Sequence, residues 1–87
     1  MPDVKEELMQ YRLSMARERL HSAEILLQDG SYKDSIGRSY YAMFTAVRAL
    51  LAMDGQDFSN YADFFLVSSE DAQEQHDRAS ELLDAIE

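Results

Sequence analysis

Apolar residues recur at intervals of three and four along most of the chain, which is the period of an amphipathic α-helix. No segment alternates apolar and polar residues for long enough to predict a strand. Asp-Gly pairs in "QDGS" (28–31) and "MDGQDFSN" (53–60) are turn signals that divide the chain into three helical segments. We therefore predict an all-α fold. The predicted helices run from about Asp3 to Gln28, from Tyr32 to Met53, and from Ser69 to the C-terminus.

The predicted helix ends carry recognisable stop and start residues. Asp3 is a candidate N-cap of the first helix, and Gly30 is a candidate stop after its last turn. Ser68 stands three residues before Asp71, which has the spacing of a capping box. The segment "FSNYADFFLV" (58–67) fits either a short helical turn or an extended connector.

The second helix has a broad apolar face, a strip of small residues and a polar face. At 100° per residue, the apolar face predicts the core. Its members are Ile36, Tyr40, Met43, Phe44, Val47, Leu50 and Leu51. The small strip would let another helix approach closely, and it comprises Ser35, Ser39, Ala42, Ala46 and Ala49. The polar face holds Asp34, Arg38, Tyr41, Thr45 and Arg48. Tyr40 is thus predicted to be core and Tyr41 is not.

The first helix has apolar residues on two sides, with a basic row between them. One side holds Leu8, Tyr11, Met15 and Leu26, and the other holds Met9, Ala16, Leu20, Ala23 and Leu27. The row of Lys5, Arg12 and Arg19 predicts a groove between two neighbouring helices. Two interpretations stay open: the bases pair with carboxylates of the acidic third helix, or their stems cover apolar surface.

The third helix has one apolar face and is acidic elsewhere. The apolar positions are Ala72, His76, Ala79, Leu82, Leu83 and Ile86. Together the three helices carry more apolar surface than they can cover mutually. We therefore predict an antiparallel bundle, two long helices in a hairpin plus a C-terminal helix, that is completed by homodimerisation or by a further element.

Composition limits the class of protein. The 87 residues make one domain at most, which is marginally stable alone. There is no cysteine, no apolar run long enough for a membrane span and no signal-peptide character at the N-terminus, so we expect a cytoplasmic protein. The net charge of −9 argues against general nucleic-acid binding. Residues 60–87 carry eight acids and one base, which is typical of a solvated helix face.

The residues that most kinds of catalytic or cofactor site require are absent from this sequence. Glu18 and His21 have the Glu-x-x-His spacing of helical di-iron bundles, but Gln73 stands three residues before His76, so the second pair is absent. No glycine-rich phosphate loop occurs, and the turn "DGQD" is too short for a calcium loop. We predict no metal, no cofactor and no catalytic residue.

The polar face of the second helix is the remaining candidate site. Arg38, Tyr41 and Arg48 could anchor a protein interface, or hold a phosphate and stack a base. They could equally form an ordinary solvated surface. Arg12 and Arg19 are candidates for the groove on the first helix.

The segment "ARERLHSAEILLQDGSYKDSIGRSYYAMFTAVRALL" (16–51) resembles the first helical hairpin of HEPN (higher eukaryotes and prokaryotes nucleotide-binding) domains, and residues 60–87 resemble the closing segment of that family. The resemblance implies an antiparallel helical bundle that commonly dimerises. Many members are encoded beside a small nucleotidyltransferase as toxin–antitoxin pairs. Others are metal-independent ribonucleases with an Arg-x4–6-His motif. Arg38, Tyr40 and Tyr41 match the "RSYYA" signature.

The chain departs from the family pattern in two places. Arg17 and His21 are separated by only three residues, in the wrong helix, and no arginine stands four to six residues before His76, so the ribonuclease motif is absent. Between Ser59 and Asn60 the chain lacks helical residues that the family usually has, through a deletion or an omitted segment. We therefore expect a non-catalytic, homodimeric interaction module that binds a nucleotide or a nucleotidyltransferase. The alternatives are a ribonuclease toxin whose motif lies in a missing segment, and a degenerate remnant.

Overall fold

The computed structural model describes residues 4–54 and 69–86, with side-chain environments for 4–51 and 69–86. They form three α-helices, which we name α1 (Val4–Asp29), α2 (Tyr32–Asp54) and α3 (Ala72–Ile86). The all-α prediction is confirmed. None of the three helices is long and apolar enough to cross a membrane. The predicted cap at Asp3, the segment 58–67 and the joint between Ser59 and Asn60 lie outside the described residues.

A tight turn at Gly30 ends α1 and reverses the chain into α2. Gly30 has a φ of 88°, in the left-handed region that residues with a Cβ rarely adopt. The N–H of Ser31 donates to the carbonyl of Leu26 (2.9 Å), and the N–H of Gly30 donates to that of Leu27 (3.2 Å). This pair of bonds is a Schellman motif, so the predicted stop at Gly30 is confirmed.

The hairpin is held together by small residues that let the helix backbones approach closely. Ala16 and Ala23 of α1 are fully buried. On α2 the whole predicted strip is buried without exposed area, namely Ser35, Ser39, Ala42, Ala46 and Ala49. The hydroxyl of Ser35 donates to the carbonyl of Ala23 across the interface (2.7 Å). The strip of small residues is therefore the centre of the α1–α2 contact.

Because the strip faces α1, the apolar face of α2 is turned further outward than the sequence predicts. Met43 and Val47 are buried as expected. Tyr40 and Phe44 are 36% and 39% exposed, so their assignment to the core is wrong for this chain by itself. Thr45, which was predicted to lie on the polar face, is buried instead. A helical wheel gives the relative angles of residues, whereas the neighbouring helices decide which arc is covered.

The third helix starts later than predicted, and with a different cap. Asp71 is the N-cap, since its carboxylate accepts the N–H of Glu74 (3.0 Å). The hydroxyl of Ser69 in turn accepts the N–H of Asp71 (3.1 Å). The predicted capping box pairs Asp71 with Ser68, which lies outside the described residues. Asp71 is itself the N-cap, so the box assigns it the wrong role, and the predicted start at Ser69 is three residues early.

The α3 helix covers a flank of the hairpin with its predicted apolar face. Ala72, Ala79, Leu82 and Leu83 are buried, and Ile86 packs against the core in part. The sequence did not predict the burial of Gln75, whose side-chain oxygen accepts the N–H of Ser69 (2.6 Å). Packing of α3 onto both hairpin helices completes the described core.

Truncation of a core residue on α3 should test this packing. Leu83→Ala deletes a fully buried side chain and is expected to lower the free energy of unfolding by about 2–5 kcal/mol. Ile25→Ala removes a side chain of the same size that is 54% exposed on α1, and we expect less than about 1 kcal/mol. Urea denaturation followed by circular dichroism measures both. Equal losses in the two variants would contradict the position of α3.

Candidate functional site

An open groove runs between α1 and α2 on the side of the hairpin away from α3. It consists of two adjoining depressions that share Arg19 and Tyr41. The first is lined by Tyr11, Arg12, Met15, Arg19, Tyr41, Phe44, Thr45 and Arg48. The second is lined by Arg19, Leu26, Lys33, Asp34, Gly37, Arg38 and Tyr41. We call this surface the α1–α2 groove. It contains all five predicted site residues: Arg12, Arg19, Arg38, Tyr41 and Arg48.

The antiparallel register of the hairpin accounts for this convergence. The Ser35–Ala23 bond fixes the register near the turn. Farther along, Arg19 lies opposite Thr45, and Arg12 lies opposite Arg48. Residues that are far apart in sequence are thereby placed side by side, although each lies at an ordinary position on its own helix.

Arg12 and Arg19 bind groups of α2 instead of acids of α3. The Nη1 of Arg12 donates to the carbonyl oxygen of Arg48 (2.9 Å). The Nη1 of Arg19 donates to the hydroxyl of Thr45 (3.3 Å), and that hydroxyl donates to the carbonyl of Tyr41 (2.9 Å). Both contacts lie between the two hairpin helices, so the first of the two open interpretations, pairing with carboxylates of the third helix, does not describe Arg12 or Arg19. It is Arg17 that pairs with α3, through Asp84 (3.1 Å).

Aromatic rings and guanidinium groups alternate along the groove. The Cζ of Arg19 lies 4.7 Å from the centre of the Tyr41 ring, within the range of a cation–π interaction. The Cζ of Arg48 lies 5.9 Å from the centre of the Phe44 ring. The two rings are 6.0 Å apart and tilted by 53°. Tyr41 and Phe44 are both exposed, so these rings still offer area to a ligand.

The groove concentrates positive charge in an acidic chain. Its lining includes four arginines and one lysine against a single acid, Asp34. By contrast, the exposed surface of α3 is acidic, with Glu74, Asp77, Glu81 and Asp84. The net charge of −9 therefore conceals two surfaces of opposite sign. The net charge argues against anionic ligands for the molecule as a whole, but it does not argue against them for the groove.

A metal site would require several acids or histidines close together. Within residues 4–54 and 69–86, no group of three His, Asp or Glu side chains is arranged to hold a metal ion. His76 is mostly buried, and its Nδ1 lies 3.7 Å from the carboxylate of Asp77. A separate depression near His76 is lined in part by Glu24, Glu70 and Asp71.

Sequence reasoning found the four arginines of the groove but missed part of its lining. Lys33 and Thr45 were not singled out, and Phe44 was assigned to the core. Lys33 could have been found from the register, because a turn at Gly30 places the first turn of α2 beside the last turns of α1. The sequence does not reveal that Phe44 is exposed, because an apolar residue at helical spacing fits a buried face and an exposed face of the helix equally well.

Comparison with known proteins identifies the hairpin region. The model of the HEPN domain family matches residues 9–64. A UPF0332 protein of Pyrococcus horikoshii is 46% identical over 55 residues, which are 63% of this chain and 38% of that protein. A UPF0332 protein of Thermotoga maritima is 38% identical over 58 residues, 67% of this chain and 44% of the relative.

A third relative carries a functional name. The protein named "Putative toxin MJ0605" of Methanocaldococcus jannaschii is 41% identical over 49 residues, which are 56% of this chain and 36% of that protein. The matched segments thus span less than half the length of each of these three relatives. No solved structure matches the chain.

The hydrogen bond from Arg12 to α2 should contribute to stability, whereas Arg38 should not. Arg12→Met keeps most of the apolar stem but removes the bond to the Arg48 carbonyl, and we expect a loss of about 1 kcal/mol. Arg38→Met changes an exposed side chain and should alter the free energy of unfolding by less than about 0.5 kcal/mol. Urea denaturation compares the two. A larger loss for Arg38→Met would contradict the groove geometry.

Proposed function

We propose, since this chain belongs to the HEPN domain family, that it is a non-catalytic helical interaction module that assembles as a homodimer. The observation that carries the proposal is the exposure of large aromatic residues on α2. Tyr40 and Phe44 lie one turn apart and are 36% and 39% exposed, on the helix that forms the centre of the hairpin core. Aromatic residues are enriched at protein interfaces.

Tyr40 offers a dimer surface that borders the groove without lining it. It lines neither depression of the α1–α2 groove, whereas Tyr41 lines both. Gly37, which lines the second depression of the groove, has no side chain, and a Cβ at this position would meet no atom within 4 Å, so a second backbone has room to approach at this edge of the groove. A pair of α2 helices packed along this flank would bury Tyr40 and leave much of the groove open.

The absent catalytic motif favours binding over catalysis. Arg17 and His21 have the wrong spacing for the family ribonuclease motif, and no arginine precedes His76 at the required distance. The proposed partners are a second copy of the chain and, as in many family members, a small nucleotidyltransferase. A nucleotide, which the family resemblance implies as a ligand, would compete with a protein partner for Arg19 and Tyr41.

Sedimentation equilibrium at micromolar concentrations tests the homodimer. The wild-type chain should sediment as a dimer, and Tyr40→Lys should shift it to monomer, because the lysine places a charge in the proposed apolar contact. Ile25→Lys makes the same kind of change at a residue of α1 that is 54% exposed and should remain dimeric. A stable, folded wild-type monomer would refute the homodimer.

The alternative is an RNA-cleaving toxin, which is favoured by the relative that bears the name of a toxin. It predicts growth arrest on expression and degradation of RNA by the purified protein, with loss of both in Arg38→Ala. The non-catalytic proposal predicts that wild type and Arg38→Ala both leave RNA intact over hours of incubation. Gel electrophoresis of total RNA distinguishes the two, provided that circular dichroism shows both proteins to be folded.

A further inference from the structure

The α1–α2 groove is long enough to bind one more helix. Two antiparallel helices leave a longitudinal furrow between them, and bundles are completed when another helix packs into such a furrow. Along α1 the groove lining runs from Tyr11 to Leu26, which corresponds to about 22 Å of helix. That is about four turns, and α3, with 15 residues, shows that a helix of this length packs on the other side of the same hairpin.

The groove walls carry apolar and aromatic side chains that a small anion would leave uncovered. Tyr11 is 62% exposed and Tyr41 is 53% exposed. The half-buried residues Met15 and Leu26 continue the α1 wall, and Phe44 continues the α2 wall. A helix with apolar residues at intervals of three and four would cover these side chains and remove them from water.

The charge of the groove specifies which amphipathic helix would fit. Arg38 and Arg48 are exposed at its edge, and Lys33 adds a third cation on the same helix. The guanidinium of Arg19 is directed over the Tyr41 ring at the centre. Asp34 is the one acid among the described residues that line the groove. A partner helix would therefore bind more tightly if it carried carboxylates on both sides of its apolar stripe.

We infer that the α1–α2 groove binds an acidic amphipathic helix of a partner protein. The inference rests on the proposed function as an interaction module and names the surface and the chemistry of the partner. The α3 helix of a second copy has the required composition, but its apolar face is already buried in its own core, with Leu82 and Leu83 at 2% and 0% exposure. The occupant is therefore a helix whose apolar face is free.

A peptide with the sequence of residues 69–86 provides the probe. It contains six acids and one base, and its apolar face is free when it is detached from the protein. The control peptide has the same apolar residues but four neutral replacements on its outer face, namely Glu74→Gln, Asp77→Asn, Glu81→Gln and Asp84→Asn. Fluorescence anisotropy of the labelled peptides measures binding to the full chain.

The acidic peptide should bind, and the control peptide, which keeps two of the six acids, should bind about tenfold more weakly or not at all. Affinity for the acidic peptide should fall as salt is raised through the physiological range, because rim charges are screened. Arg38→Gln combined with Arg48→Gln should weaken binding about tenfold. Both side chains are exposed, so this variant should keep its fold, which circular dichroism verifies.

The matched control removes two arginines from the opposite side of the protein. Arg17 and Arg78 contact α3 carboxylates, and Arg17→Gln combined with Arg78→Gln makes the same change in net charge. Its affinity for the peptide should change less than about twofold. Equal weakening in the two double variants would overturn the inference, as would binding that neither variant affects, because the peptide would then be exchanging with α3 or responding to net charge alone.

Two further outcomes separate this inference from its competitors. Displacement of the peptide by a short oligouridylate or by ATP, with tighter binding of that competitor, would overturn it in favour of a nucleic-acid or nucleotide site. If the Tyr40→Lys variant still binds the peptide, binding in the groove does not depend on the homodimer. If wild type is monomeric and still binds the acidic peptide through Arg38 and Arg48, the homodimer fails and the inference stands.

Discussion

The close contact between α1 and α2 is the constraint on which the rest of the molecule depends. Ala23 and Ser35 bring the two backbones near enough for a hydrogen bond from the serine hydroxyl to the carbonyl, and Ala42 and Ala46 continue the contact without exposed area. A larger side chain at any of these positions would separate the helices. The separation would break the bond from Arg12 to the Arg48 carbonyl and move Arg19 away from Thr45. The groove is thus a consequence of small residues that take no part in it.

The same contact explains which parts of the fold could be predicted from the sequence. The helical segments of the described residues, the turn at Gly30 and the burial of the small strip follow from local patterns, and they hold in the structure. The predicted burial of Tyr40 and Phe44 failed because it required knowing how much of α2 its neighbours cover. Burial of Gln75 also escaped prediction, since its partner is a backbone N–H just before the helix and not a residue with a pattern of its own.

The candidate site was predictable residue by residue but not as an arrangement. Arg12, Arg19, Arg38, Tyr41 and Arg48 all stand out as cations or aromatics on helix faces with apolar neighbours. One of the two interpretations that the sequence left open paired Arg12 and Arg19 with acids of α3. The structure gives them a carbonyl and a hydroxyl of α2 instead, because α3 packs on the opposite flank. Pairing across a hairpin is decided by register, and a register can be read only once both helices and their turn are placed.

These contacts also bear on what the groove can do. A guanidinium that forms one bond within the protein keeps other N–H donors for a ligand, and its position is already fixed, so less side-chain entropy is lost on binding. Arg19 meets this description, held by Thr45 and stacked near Tyr41. Arg38 differs, since it is exposed at the edge and would act mainly through charge. A fixed, aromatic-backed centre with an exposed charged rim is the distribution found in protein interfaces, where central residues supply most of the affinity and rim charges speed association.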